Sequence, residues 1–543
     1  MTALLALLCV LVAALVARRG TPVEIPHVTR ALASRWAPPV VGGVTALVVW
    51  WVWGSLSQIA VVQDEAAYVL QARIFASGQW AADPRPLPGF FEQMAVFGEP
   101  LLVPKYPPGH ALLMVPGVWV GLPGLVPVLL SGLAGAMLFV LARRVAGPWV
   151  ALMAWLLWLA APGNLQWRAS YLSQMTTSAT WLLGWWFLLR WRDEGGAKWA
   201  CGVAACVGWC AITRPLTAIA FAVPVALVML RLTSRRRAWR ELSMAVAVGA
   251  VVLAVVPIWS ARTIGDWRTT PYTLYMRTFI PTERLGFGVV EDAPLRVLPP
   301  DLARVDADWR RVHAMHTVER LPVTTGFRLL AIGRGSWGGW RAALVLFFAA
   351  GLAALSGAGW LAVASGALLL GAHLAFAHPA LWWPYYLELL PVLAFVTAVG
   401  VWRLLLRGGD ERRAALPAAA LAFGAILLSA VDVARARENG QVTRSTQERF
   451  QTRLAAIPDS AAIVFVRYAP RHDHHRSLVV NDADLTRQRV WVVYDRGDEN
   501  DRLRRLVPQR SSYLYDESSD SLMPLPLPRP GPRPVQLRSE RGS

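Results

Sequence analysis

The sequence predicts an all-α polytopic membrane protein of about 12 transmembrane helices, with a small C-terminal α/β domain on its outer side. Three observations predict it: apolar runs recurring from Met1 to about Val433, arginine clusters between alternate runs, and soluble composition after Asp432. Of the 543 residues, 55% are hydrophobic and only 16% are charged, against roughly 25% charged in soluble domains. A water-soluble core is therefore excluded. The hydrocarbon layer takes about 20 apolar residues per helix. Runs near that length lie at 2–17, 39–58, 122–142, 148–163, 174–191, 199–213, 216–231, 241–260, 340–356, 359–377, 382–405 and 414–432.

Charge orients these runs. No basic residue precedes the first run, and Arg18 and Arg19 follow it. That is the charge order of a helix whose N-terminus lies outside. A signal peptide is the alternative for so short a run ending in small residues; we read it as a first spanning helix. The inside loops are then those with Arg18, Arg19, Arg30 and Arg35; Arg143 and Arg144; Arg190, Arg192 and Lys198; Arg235, Arg236, Arg237 and Arg240; and Arg403, Arg407, Arg412 and Arg413. Only the turn near Ser356–Gly359 lacks charge. The formal charge of +19 is thereby absorbed by topology and by a basic soluble segment, and no nucleic-acid partner is expected.

The expected organisation is a membrane domain over 1–433 with outer loops 59–121 and 261–339, an extracytoplasmic α/β domain over 434–522, and a Pro-rich disordered tail over 523–543. In the second domain, 445–456 and Glu499–Leu506 read as helices, and Ala462–Tyr468, Val490–Tyr494 and Ser512–Tyr515 as strands. Cys9, Cys201, Cys206 and Cys210 all fall in apolar runs and form no zinc or disulfide spacing.

Function belongs in the outer loops, where binding residues concentrate. The first opens V-V-Q-D-E-A-A-Y-V-L-Q, which puts Asp64 and Glu65 at the end of the second run. On a helix Asp64, Tyr68, Gln71 and Phe75 share one face, while Glu65 lies about 100° round. A carboxylate at a hydrophobic boundary can serve as a general base, its proton affinity raised by partial desolvation. Alternatively, the pair only caps the next helix at the water surface. Further on, K-Y-P-P-G-H places Lys105, Tyr106 and His110 around two consecutive prolines. Such a turn would hold a cation still at the membrane surface, able to grip a lipid phosphate and stabilise a leaving phosphate. Snorkelling or headgroup attraction is the alternative for Lys105.

With these motifs the sequence resembles the GT-C superfamily of polyprenyl-phosphate-sugar-dependent glycosyltransferases, in the branch of the protein O-mannosyltransferases and aminoarabinose transferases. S-Y-L-S-Q (Ser170–Gln174), T-R-P-L-T-A (Thr213–Ala218) and P-Y-Y-L-E-L-L-P (Pro384–Pro391) extend the resemblance over roughly residues 39–405. It implies Asp64 as the catalytic aspartate with Glu65 as its acidic partner, Lys105 on the lipid phosphate, and inversion of the anomeric centre in one displacement. It implies no cofactor: the lipid-linked sugar is a co-substrate, and no divalent metal is indicated. The sequence departs from the family pattern where Tyr106 separates Lys105 from the proline pair and where Glu99 is not adjacent to the lysine.

Other candidates sit at helix ends. Arg214 lies between two apolar runs; an arginine at membrane depth costs about 2.5–3.5 kcal/mol on insertion scales and calls for an anion. A lipid phosphate or a structural ion pair would both serve. Glu388, flanked by Tyr385 and Tyr386, could bind sugar hydroxyls or pair with Arg214, and we include both tyrosines and Tyr68 in the substrate site. Arg168, Arg262 and Arg277 are weaker phosphate candidates. R-H-D-H-H-R at 471–476 fits a polar, acceptor-binding loop better than a metal site, because consecutive loop residues rarely converge on one ion. The expectation is therefore a multi-pass inner-membrane glycosyltransferase with Asp64 as base, using membrane lipid, a polyprenyl-phosphate sugar donor, and a glycan, lipid or protein acceptor. A transporter or lipid flippase, a non-catalytic scaffold, and a ligase or polymerase using an oligosaccharide donor are the rivals.

Overall fold

The computed structural model describes residues 2–19, 23, 25–406 and 411–526. The first apolar run is helix α1 (Thr2–Arg19), followed by α2 (Pro26–Ala33) and α3 (Ala37–Trp53). The expected span count is only coarsely met. Six helices are long and apolar enough to cross a bilayer, or up to eight if each of two bent pairs is one span. The run at 39–58 is shorter as a helix than expected, ending at Trp53, and a short helix precedes it: α2 and α3 meet at 82° with Pro38 and Pro39 at the start of α3. Likewise α7 (Pro148–Leu159) and α8 (Pro162–Arg168) meet at 74°, where Pro162 stops the first helix from continuing.

Between α3 and α7 the chain forms α4 (Gln63–Ala76), a two-residue antiparallel pair β1 (Val96–Phe97) and β2 (Val103–Pro104), α5 (Gly109–Trp119) and α6 (Leu125–Ala146). Beyond α8 come α9 (Gln174–Glu194), α10 (Ala197–Ala211), α11 (Pro215–Arg236), α12 (Trp239–Leu253) and α13 (Val255–Ile264). The basic ends of these helices gather together: Arg144 pairs with Asp193, Arg236 Nη1 donates to Trp191 O at 3.3 Å, and Arg143 Nη1 donates to Leu32 O at 3.0 Å. Four of the five loops grouped by charge in the sequence, those of Arg30, Arg144, Arg192 and Arg236, are thus linked at one end of the bundle.

The second long loop holds α14 (Pro271–Phe279), α15 (Pro300–Met315) and α16 (Leu321–Trp337), before α17 (Val345–Leu352), α18 (Gly357–Ala372) and α19 (Leu390–Leu406). Helices α17 and α19 cross at backbone contact. A Cβ on Gly400 would collide with Phe347 O, and one on Gly351 with Val396 O. Small residues let apolar helices approach closely enough for van der Waals attraction to hold them in lipid. Gly400→Ala is therefore expected to separate the pair and cost about 1–3 kcal/mol by overpacking. A lowered thermal midpoint of the detergent-solubilised variant checks this; an unchanged midpoint would mean that the crossing relaxes freely.

Helix α20 (Glu411–Ala455) is 45 residues long and continuous. The sequence places a domain boundary at 433/434 and a separate helix at 445–456, but one helix runs through both. Arg341, fully buried, holds Asp432 of α20 at 2.6 Å. After α20 come β3 (Ala462–Arg467), β4 (Val490–Tyr494), α21 (Asn500–Leu506), β5 (Ser511–Asp516) and β6 (Ser521–Pro524). The sheet order is β4-β3-β5-β6, with β3 parallel to both neighbours and β6 antiparallel to β5. Central β3 is buried from Ala462 to Val466, as a parallel strand covered on both faces requires. Met523 and Pro524, expected to open the disordered tail, instead pair with Leu514 and Tyr513, proline being tolerated at a sheet edge. The tail from 527 onward lies outside the described residues.

This domain rests on the segment 59–121. Phe90 packs against Phe465 and Phe91 against Trp491 with ring centroids 6.3 and 5.6 Å apart, and Arg73 pairs with Asp482 at 2.9 Å.

Candidate active site

The site is assembled at the N-terminus of α4. Its N-cap, Val62, has no polar side chain, so Glu65 at the third helical position folds back and Oε2 accepts from the Val61 and Val62 amides at 2.8 and 3.2 Å. Its other oxygen accepts from Tyr171 N at 2.9 Å. Burial pushes the Glu65 carboxyl above its usual range, with the three amides opposing. Both oxygens are thus spent on capping and on tying α4 to the S-Y-L-S-Q segment, a positioning role.

Asp64, released from capping, turns the other way. Its Oδ1 accepts from the Tyr106 hydroxyl at 2.6 Å. Burial first, and then the charge of Asp64, push the Tyr106 phenol well above its ordinary range, which keeps it a donor. Tyr106 also stacks on Tyr68, centroids 4.5 Å apart, and its carbonyl accepts from Gln71 Nε2 at 2.8 Å. Asp64, Tyr68 and Gln71, placed on one helical face by spacing, therefore all meet the one residue by which the turn departs from the family pattern.

Lys105 follows β2, and its amide donates to Ala95 O at 2.8 Å, extending the small β pair. The Pro-Pro turn then docks on the end of α10. Gly109 N donates to Ile212 O at 2.8 Å, and a Cβ at Gly109 would strike Thr213 and Ile212. This close approach brings Lys105–His110 beside T-R-P-L-T-A. The Lys105 ammonium is enclosed by aromatic rings, 5.3 Å from the centroid of Tyr106 and 5.1 Å from those of Tyr272 and Tyr275. Its acidic neighbour is Glu283 at 3.5 Å, whose second oxygen accepts from the Tyr272 hydroxyl at 2.8 Å.

Glu283, Tyr272 and Tyr275 were not legible as site residues. The signal available was indirect: a lysine turned inward needs an acid, and the tyrosines at 272 and 275 share a face at i, i+3. Glu99, by contrast, pairs with Arg296 at 3.4 Å.

Arg214 stands at the N-cap of α11, with its guanidinium 5.7 Å from the centroid of the Tyr385 ring. Its Nη1 is buried and has no hydrogen-bond partner among the described residues. Glu388 accepts from Thr177 through Oε1, while its Oε2 is likewise buried and unpartnered among the described residues. The two are not within ion-pair distance. Between them they offer an unused donor and an unused acceptor, the pair of functions a sugar hydroxyl needs. The charges of Glu283, Asp64 and Arg214 all fall on the Tyr385 hydroxyl. Asp64, Tyr106, Arg214, Tyr272, Glu283 and Tyr385 each keep accessible surface, and they form the accessible lining of the site.

His110 and Tyr386 lie behind this lining. Both His110 ring nitrogens are engaged, with Thr176 Oγ1 and Tyr171 O, each at 2.8 Å; its ring supports Tyr68 edge-on at 4.9 Å. Tyr68 donates to Ser173 Oγ at 3.0 Å. The Tyr386 hydroxyl is 3.0 Å from His378 Nε2. Arg168 is fully buried against Trp158. In R-H-D-H-H-R the side chains diverge: His472 bonds Glu517 at 2.8 Å, His474 lies 3.4 Å from Asp308, and His475 packs on Trp382. Among the described residues no group of three or more His, Cys, Asp and Glu side chains is placed to hold a metal ion.

Residues 115–260 match the family described as dolichyl-phosphate-mannose-protein mannosyltransferase; the match takes in Arg214 but not Asp64 or Lys105. The structure of ArnT from Cupriavidus metallidurans bound to undecaprenyl phosphate aligns with a TM-score of 0.50 and 17% identity, covering 90% of this chain and 91% of that one. The apo form of the same protein aligns with a TM-score of 0.53 and 16% identity, covering 88% and 93%. No curated protein matches the chain in sequence. In fold over most of its length, and in sequence across residues 115–260, the chain is similar to the GT-C membrane glycosyltransferases of the ArnT and protein mannosyltransferase kind.

Proposed function

We propose that this glycosyltransferase moves a sugar from a polyprenyl-phosphate carrier to an acceptor hydroxyl on the extracytoplasmic face, inverting the anomeric centre. The observation that carries the reading is the convergence of Asp64 and Lys105 on one tyrosine: Tyr106 donates to Asp64 at 2.6 Å and lies under the Lys105 ammonium. In the reaction the acceptor oxygen gives its proton to Asp64 and attacks the anomeric carbon. The bond from that carbon to the phosphate oxygen breaks, and its electron pair leaves with polyprenyl phosphate. Lys105 and Arg214 stabilise the charge that develops there. Tyr106 orients the base, and Glu388 and Arg214 offer polar atoms to the sugar.

The remaining placement follows the charge pattern. The six long helices, the two bent pairs, and α9, α10, α17 and α18 make up a dozen spans of a plasma-membrane protein. The two long loops and the C-terminal domain then face outward, where a carrier lipid and a glycan, lipid or protein acceptor can meet. The ArnT relative bound to undecaprenyl phosphate supports a polyprenyl carrier. The test is incubation of the purified full chain with a panel of labelled polyprenyl-phosphate sugars. One lipid should be consumed, with free polyprenyl phosphate released in step with product. Movement of intact lipid between leaflets without cleavage would instead establish a flippase.

A further inference from the structure

The lysine assigned to the donor phosphate is already engaged. Three tyrosine rings wall its ammonium at 5.1–5.3 Å, and its side chain is only 5% exposed. Rings offer π faces but no strong acceptor oxygen. The oxygen-bearing position on Lys105 is held by Glu283, at 3.5 Å. A phosphate that reaches Lys105 must take that position, because two anions crowded on one cation in a partly dry site repel each other. Arg214 differs: its Nη1 is buried and unpartnered among the described residues.

We infer that Glu283 occupies the phosphate seat on Lys105 in the empty enzyme and is exchanged for the donor phosphodiester on binding. The inference rests on the proposed donor class and deepens it. Arg214 receives the incoming phosphate, and Lys105 then passes from carboxylate to phosphate. Glu283 keeps its 2.8 Å bond from Tyr272 and pivots about it. It belongs to an irregular turn rather than to a helix or strand, so the pivot breaks no backbone ladder. The exchange has a use in a bilayer, where phosphodiester headgroups are abundant: a seated carboxylate keeps Lys105 from being held by any lipid that lacks further contacts with the site. Glu283 is thus a positioning residue that competes with substrate.

The test measures binding of farnesyl phosphate, which carries no sugar, to the detergent-purified full chain. A seat occupied by Glu283 in about 80–90% of molecules lowers apparent affinity by about 5–10-fold, the reciprocal of the competent fraction. Glu283→Gln and Glu283→Ala should each tighten binding by that factor. The gain should vanish when Lys105→Met is added, so that the double variant binds like Lys105→Met alone. A purely structural role for Glu283 predicts weaker binding in both single variants. If wild type binds and neither variant binds tighter, the exchange is wrong while the lipid-phosphate site stands. If none of the proteins binds farnesyl phosphate, the lipid-phosphate reading fails and takes the exchange with it.

Discussion

Asp64→Asn should leave the protein folded and slow sugar transfer by at least ~100-fold, within the range for loss of a general base and equal to about 2.7 kcal/mol of transition-state free energy. The amide has nearly the shape of the carboxylate, and its oxygen can still accept from Tyr106, which now bonds Asp64 at 2.6 Å. The contacts that position α4 therefore survive. Basicity does not, and no neighbour replaces it. Both Glu65 oxygens hold backbone amides, Glu283 is tied to the Tyr272 hydroxyl whether or not Lys105 holds it, and Glu388 is buried against Thr177. Initial rates in proteoliposomes, with protein folding checked by size-exclusion chromatography, decide the matter. A variant with the wild-type rate would remove Asp64 from the chemistry.

Asp432→Ala should be the most damaging substitution away from the candidate active site. Arg341 is fully buried, with Asp432 at 2.6 Å, Ser429 Oγ at 3.2 Å and the Trp340 ring centroid at 4.3 Å. Removing the carboxylate leaves a guanidinium with one neutral acceptor and one π face. Breaking a buried pair from one side costs about 3–5 kcal/mol, because the remaining charge is stranded. Removing both charges costs much less for the same reason. Thermal midpoints in detergent should therefore fall sharply for Asp432→Ala and recover most of the way in Arg341→Met with Asp432→Leu. A double variant no more stable than the single one would show that the pair is not what holds α20 to its neighbours.

What could be read in advance tracks what the environment forces on the chain. The bilayer demands long apolar runs, so the membrane class and the grouping of basic loops were legible. Where a run bends was not, because Pro162 turns the run at 148–163 into a bent pair at an angle that hydropathy does not carry. Asp64 and Lys105 could be paired because both lie in one loop, on a helix face and a proline-stiffened turn with their own geometric rules. Glu283 lies 178 residues from Lys105 in an irregular segment, so only tertiary packing reveals the partnership. His110 was legible as a polar residue near the site, but nothing local shows that Thr176 and Tyr171 take both its nitrogens. The drop in hydropathy after Asp432 marks where apolar sequence ends; helix-compatible residues continue well beyond it, and so does α20.

That uninterrupted helix has a mechanical meaning. At 1.5 Å per residue, its 45 residues form a mast about 68 Å tall, with its foot among the spanning helices and its head under the β-sheet. Its internal proline, Pro417, lies near the foot, so in the outward placement proposed above the long remainder sets the height of the roof over the bilayer. Under that proposal, whatever slides beneath to meet the sugar would be screened by its thickness, a threshold that loop motion alone would not provide.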